Sequence, residues 1–302
     1  MHRRTKDGRS TLMSAPRKQR TLIRTAIVEG FGYWSGKDVR VEFRPAPENT
    51  GIVFVRSDLP TPQRIAASVM HCVETPRRTC LQTGSAKVEM VEHILAALAG
   101  LNIDNCEIGV TAPEMPGCDG SSRPFVDALL LAGIAEQQAP RRTLIVRDVM
   151  RLGGPESWIE ARPSTSHCMS IKFHLDYGPS TPIGRQSITL PITPDSFRRE
   201  LAPSRTFMLK TEADWLLAQG MGTRATTKDL LIFGPKGPID NELRYRDECV
   251  RHKALDLVGD LALAGCDLVG HFVAHRSGHR LNAELVRQLL ASGGALDATR
   301  AA

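Results

Sequence analysis

The sequence predicts an α+β protein of two similarly built halves, each a sheet with a helix pair on one face, meeting at a shared site. Three observations lead there. Helix, strand, loop and helix follow one another in residues 89–133 and again in residues 247–293. The corresponding helices share local sequence: Ala96-Ala97-Leu98-Ala99-Gly100 matches Leu261-Ala262-Leu263-Ala264-Gly265, and Phe125-Val126-x-x-Leu129-Leu130-x-x-Gly133 matches Leu285-Val286-x-x-Leu289-Leu290-x-x-Gly293. Each copy is preceded by runs that alternate apolar and polar residues, the period of a half-buried strand.

Taken in order, folding signals begin near Thr21. Val39-Arg40-Val41-Glu42-Phe43-Arg44 alternates, and Ile52-Val53-Phe54-Val55 follows after a turn over 45–50, so both runs read as strands. Residues 89–99 have helical spacing and strong helix formers, with Gly100 as the expected C-cap. A strand is expected over 105–111, a Pro/Gly loop over 112–122 and a helix over 124–132 closed by Gly133. The polar run 136–142 (EQQAPRR) reads as a linker. Beyond it, strands are expected over 143–150, 156–162, 169–177 and 185–192. A helix over 247–264 ends at Gly265, a strand covers 268–274, and a last helix covers 282–291. The domain reading is therefore a disordered basic tail over 1–20, a first α+β domain over 21–137, and a second over 143–294 with an apolar insert near 207–235.

Composition excludes several function classes. With 41% hydrophobic and 24% charged residues the chain is neither disordered, collagen-like nor coiled coil. Its longest apolar runs are about eight residues against the ~20 that cross a bilayer, so no integral membrane segment is expected. The net charge of +6 suggests nucleic acid, yet residues 1–20 alone hold seven basic residues against Asp7, which accounts for all of it. A phosphate-binding footprint belongs on the folded body, which is balanced; no nucleic-acid partner is expected. Seven scattered cysteines without a CxxC pair, and no secretory signal pattern, point to reduced thiols in a cytoplasm.

The chemistry concentrates in residues 247–260. Val250, Ala254, Leu257, Val258 and Leu261 form a core stripe, while Glu248, His252, Asp256 and Asp260 fall at i, i+4, i+8 and i+12 on another side. His252 and Asp256 lie one turn apart, close enough to share a cation such as Zn²⁺. On spacing alone, a solvated face with a His–Asp hydrogen bond is the commoner meaning. Glu92-His93 shifts the balance, because adjacent helical residues diverge by about 100°. One can then face an ion while the other leans over it as a base. His from one half with His and Asp from the other makes three ligands and a free fourth position, the layout of a catalytic zinc site. His271 and His275 repeat the four-residue spacing in a stretch that reads as strand, where helical spacing does not apply. His279, in a glycine-marked loop, is better placed to reach a cleft.

Five ordered motifs carry a resemblance: Val91-Glu92-His93-x-x-Ala96-Ala97-Leu98-Ala99-Gly100-Leu101-x-Ile103-Asp104-Asn105, Ala112-Pro113-Glu114-Met115-Pro116-x-x-Asp119-Gly120-Ser121, Arg205-Thr206-Phe207, Arg251-His252-Lys253-x-Leu255-Asp256-x-x-Gly259-Asp260, and Ser277-Gly278-His279-x-x-Asn282. From about residue 21 to 291 the chain resembles the UDP-3-O-acyl-N-acetylglucosamine deacetylases, zinc amidases that commit the lipid A pathway. The resemblance implies two α+β domains facing each other across the site, with Zn²⁺ bound by His93, His252 and Asp256. It implies Glu92 as general base on water activated by the metal. Thr206 would help hold the oxyanion, and protonated His279, oriented by Asp260, would donate to the leaving amine. Lys253 would supply a further cation, Phe207, Leu217 and Met221 the acyl tunnel, and Arg147 a contact near the diphosphate.

Two positions depart from the family pattern. Trp34 stands where a His is usual, and Glu89-Met90 where Ser-Thr is commoner. The expected enzyme is a cytoplasmic monomer that hydrolyses the acetamide of UDP-3-O-acyl-N-acetylglucosamine. The alternatives are a same-fold metal amidase acting on another acetylated nucleotide sugar, a non-catalytic binding protein that keeps the fold, and a nucleic-acid binder working through residues 1–20.

Overall fold

The computed structural model describes residues 16–292 and the backbone of the short strand Ala295–Leu296. The first half contains strands β1 (Ala26–Phe31), β2 (Asp38–Pro45), β3 (Ile52–Arg56) and β4 (Gln63–Ala66), helix α1 (Glu92–Gly100), strand β5 (Cys106–Val110) and helix α2 (Arg123–Ala132). The second contains β6 (Met150–Gly153), β7 (Trp158–Arg162), β8 (Met169–Asp176), β9 (Arg185–Pro191), helix α3 (Glu248–Leu261), β10 (Asp267–His275) and helix α4 (His279–Ala291).

The repeat extends to the sheets. In the first half the order is β1-β2-β5-β3-β4, with β5 antiparallel to β2 and parallel to β3. In the second, β6-β7-β10-β8-β9 has the same order and the same directions. Period-2 patterning builds these strands. Val39, Val41 and Phe43 of β2 point into the core, while Arg40, Glu42 and Arg44 face out. The run 52–55 does form a strand, but β5 lies between it and β2, so the 45–50 loop is a crossover rather than a hairpin turn.

Helix α1 is buried on nearly every side and packs along α3. At Gly259 the two helices nearly touch: a Cβ there would sit 2.1 Å from the carbonyl oxygen of Glu92. Any side chain would wedge apart the helices that carry the motifs. Gly100 likewise leaves room for the Phe197 ring.

Several boundaries differ from expectation for identifiable reasons. Helix α1 begins at Glu92 rather than at residue 89, because Ala86–Glu89 pairs as a strand with Cys80–Thr83 and Met90 takes a left-handed φ of 58°. Gly100 lies inside the last turn, and Leu101 is the cap. Helix α4 starts at His279, three residues early. The supposed linker is not free chain: Ile134–Pro140 is a strand paired with Lys18–Leu22. That pairing also corrects the tail reading for residues 16–20. Arg17 bridges the halves, 2.7 Å from both Asp104 and Asp267. The rest of the predicted tail, Gly293, residue 294 and residues 297–302 lie outside the described residues. Among the described residues, no helix is long and apolar enough to cross a membrane.

Candidate active site

The polar stripe of α3 is buried rather than solvated. Glu248, His252, Asp256 and Asp260 are each at most 4% exposed, so these side chains need partners inside the protein. Glu248 takes Arg205, with Nε to Oε1 at 2.8 Å and the Arg205 backbone N–H to the same oxygen at 3.0 Å. This anchors the segment 204–206 beside the helix. The Ser204 carbonyl then lies 3.1 Å from His252 Nδ1, which leaves Nε2 to face Asp256.

One donor atom from each of His93, His252 and Asp256 lies within 4.8 Å of the others. Asp256 Oδ1 is 3.3 Å from His252 Nε2 and 3.6 Å from His93 Nε2. A tetrahedral ion with bonds near 2.1 Å separates its ligands by about 3.4 Å, so these spacings suit a bound cation. Asp256 Oδ1 is buried yet has no hydrogen-bond partner among the described residues. A buried carboxylate oxygen without a partner between two imidazoles is a place that could hold a cation. Burial pulls the His252 imidazole down to about 4, against the raising effect of Asp256, so its lone pair is free at neutral pH. Burial would raise the Asp256 carboxyl, but His252 and Lys253 outweigh it and hold it well below the usual range. Lys253 Nζ donates to Asp256 Oδ2 at 2.6 Å.

Glu92 stands beside the ligands. Its Oε2 accepts the Thr79 backbone N–H at 3.0 Å, and burial raises its carboxyl, partly offset by His279 and His93. Across the site His279 Nδ1 is 2.9 Å from Asp260 Oδ2, which also accepts Asn282 Nδ2 at 2.8 Å. Burial opposes protonation of His279, but the Asp260 charge and hydrogen bond prevail and raise it to about 9. The site thus sets the Glu92 carboxyl beside the ligands and, across from it, the His279 imidazole, whose proton Asp260 holds up to about 9.

Glu92, His93, His252, Lys253, Asp256 and His279 line a cavity of about 1220 Å³ together with Thr206, Phe207, Leu217 and Met221. The Thr206 backbone N–H is held by the Gly120 carbonyl at 2.7 Å, where a φ of +81° and the nearby Asp229 carbonyl exclude a side chain. Phe207 packs edge-on to His252. The insert forms Phe207–Leu209, the helix Lys210–Ala218 and the strand Leu231–Gly234. Trp34 lines the same cavity, with the Arg78 guanidinium 5.0 Å from its ring centroid.

Arg147 is not brought to this site. It is exposed in the loop between Thr143–Ile145 and β6 and is not part of the cavity wall. The cavity's guanidinium groups belong instead to Arg77, Arg185, Arg276 and Arg280. Sequence reasoning missed these, although Arg276 stands only three residues before His279. It also missed Thr79 and the Ser204 carbonyl, which no motif marks.

Residues 19–291 match the family described as UDP-3-O-acyl N-acetylglycosamine deacetylase. A UDP-3-O-acyl-N-acetylglucosamine deacetylase of Acidithiobacillus ferrooxidans is 39% identical over 274 residues, 90% of each chain. That of Syntrophus aciditrophicus is 37% identical over 273 residues, 90% of this chain and 86% of its own. The Coxiella burnetii protein of the same name is 36% identical over 279 residues, 92% of each. With the match running through both halves and every motif of the cavity, the chain belongs to the UDP-3-O-acyl N-acetylglycosamine deacetylase family.

Proposed function

We propose that this protein hydrolyses the acetamide of UDP-3-O-acyl-N-acetylglucosamine in the lipid A pathway, releasing acetate and the 2-amine, with Zn²⁺ held by His93, His252 and Asp256. The observation that carries the reading is the convergence of two imidazoles on the orphaned Asp256 Oδ1 beside Glu92. Two nitrogens and one carboxylate oxygen suit a borderline cation, and zinc fits that donor set. When bound, the ion supplies Lewis acidity to the acetamide carbonyl and to a neighbouring water.

The chain's own residues supply the rest. Glu92, with Oε2 tied to Thr79 and its carboxylate on the cavity wall, takes the proton of the attacking water. The Thr206 hydroxyl stabilises charge developing on the carbonyl oxygen. His279 presents Nε2, because Nδ1 is engaged by Asp260, and donates a proton to the departing amine as the C–N bond breaks. Lys253 adds positive charge next to the site; burial works against its charge, but Asp256 more than compensates. Phe207, Leu217 and Met221 form the apolar wall for the acyl chain. Arg276 and the other guanidiniums of the cavity wall suit the diphosphate, whereas Arg147 lies off that wall. The seven cysteines are all unpaired, which supports a reducing cytoplasm.

The test compares acetate release from UDP-N-acetylglucosamine with and without the 3-O-acyl group. A strong preference for the acylated substrate is expected. Equal rates would favour the same-fold amidase of another nucleotide sugar.

The pH dependence follows from His279. Its imidazolium persists up to about 9, so kcat should fall as pH rises through that value. The same ion pair stabilises the fold. Its folded pKa lies above the unfolded value of about 6.5, so the stabilisation is complete below that pH and is lost as pH climbs toward 9. A pH–rate profile whose alkaline limb is absent in His279→Ala checks the assignment. An unchanged limb in that variant contradicts it.

A further inference from the structure

Thr79, 1% exposed, immediately precedes the strand Cys80–Thr83 of the first half. It touches both sides of the reaction. Its backbone N–H donates to Glu92 Oε2 at 3.0 Å, its hydroxyl donates to Asp260 Oδ1 at 2.5 Å, and its Oγ1 lies 3.0 Å from His279 Nδ1. Glu92 belongs to the first half, whereas Asp260 and His279 belong to the second. The other partners of the Asp260 carboxylate, His279 and Asn282, come from its own half. Thr79 therefore makes the bond that crosses from the base side to the acid side.

We propose that Thr79 is a positioning residue that holds the proton acceptor Glu92 and the proton donor His279 in one frame. This rests on the reading of those two residues given above. The physical case lies in the linkage. The two anchoring atoms, N and Oγ1, belong to one β-branched residue whose χ1 is restricted, so they form a short, stiff connector. Each anchor lands on a carboxylate that is itself buried, Glu92 at 4% and Asp260 at 1% exposure, where a lost donor is not replaced by water. Without the hydroxyl, Asp260 Oδ1 loses the partner that fixes its plane, and His279, hung on the other oxygen, is free to swing. Proton transfer at both ends of a breaking amide tolerates little such motion. Substrate affinity depends on other walls of the cavity, so KM should not follow.

The experiment uses the full-length, metal-loaded enzyme. Thr79→Val keeps the shape and removes the hydroxyl, and is expected to lower kcat per bound metal by about 10- to 100-fold with KM held within about threefold. Thr79→Ser, which restores the hydroxyl, should return kcat to within about threefold of the parent, and Thr79→Val added to His279→Ala should cost less than about threefold more. Should the valine variant fold or load metal poorly, Thr79→Ala is measured against the same criteria. The proposal is overturned if the hydroxyl-free variant keeps parental kcat, if serine is no better than valine, or if valine costs its full factor without His279. Glu92→Gln and His279→Ala are assayed alongside. Near-parental turnover in those two would remove the reading of the site itself, whereas their failure beside an unimpaired Thr79→Val would remove only the role of Thr79.

Discussion

Glu92→Gln is expected to lower kcat by about 10²- to 10⁴-fold while the protein keeps its full complement of metal. Glutamine matches the shape of glutamate, and its amide oxygen can still accept the Thr79 N–H that now holds Oε2. What disappears is the basicity: the amide oxygen keeps its lone pairs but is too weak a base to take a proton from water. The substitution also removes a charge from a site where burial already works against ionisation, so thermal stability should hold or rise. Turnover per bound metal, measured with the 3-O-acylated substrate, decides the matter. A kcat within threefold of the parent would move the base to another residue.

Asp256→Ala is expected to abolish both metal retention and turnover. Asp256 supplies the one carboxylate oxygen of the set, and two imidazoles alone form a poor site for a hard-to-borderline ion. Its loss also strips Lys253 of the carboxylate 2.6 Å away, putting an ammonium next to the two histidines with no counter-charge between them. Metal content after dialysis, read with activity, checks this. Stoichiometric metal and retained turnover in this variant would mean the cation sits elsewhere. Chelation of the parent enzyme should reproduce the loss of activity, and added Zn²⁺ should reverse it in the parent but not in the variant.

Much of this was legible in the residues, and the failures have physical causes. The duplicated order could be read because period-2 and period-3.6 patterns survive in both halves, and Gly133 and Gly265 do end their elements with φ of 76° and 66°. The linker reading failed at 136–142 because a polar strand joined to Lys18–Leu22 shows no apolar alternation to reveal it. The start of α1 was misplaced because a non-glycine left-handed residue, Met90, separates strand from helix, and side-chain pattern carries no trace of that. At the site, His93, His252 and Asp256 could be chosen by donor chemistry and spacing. Burial of the whole stripe could not, since an i+4 row of polar residues looks the same facing water or facing a second helix. Arg147 could not be placed from its sequence neighbours, because a cation near a strand end can as well face solvent, as it does here, while Arg276 lines the cavity.

The equivalence of α1 and α3 has a corollary for how such a centre can arise. Corresponding helices of the two copies carry complementary outfits, a Glu-His pair on one and a His-x-x-x-Asp pair on the other. A symmetric dimer of either copy would offer twin sets, two Glu-His pairs or two His-Asp pairs, and never this mixture. Within one polypeptide the two copies need not match, so one wall can carry Glu92 and the opposite wall the His279–Asp260 pair.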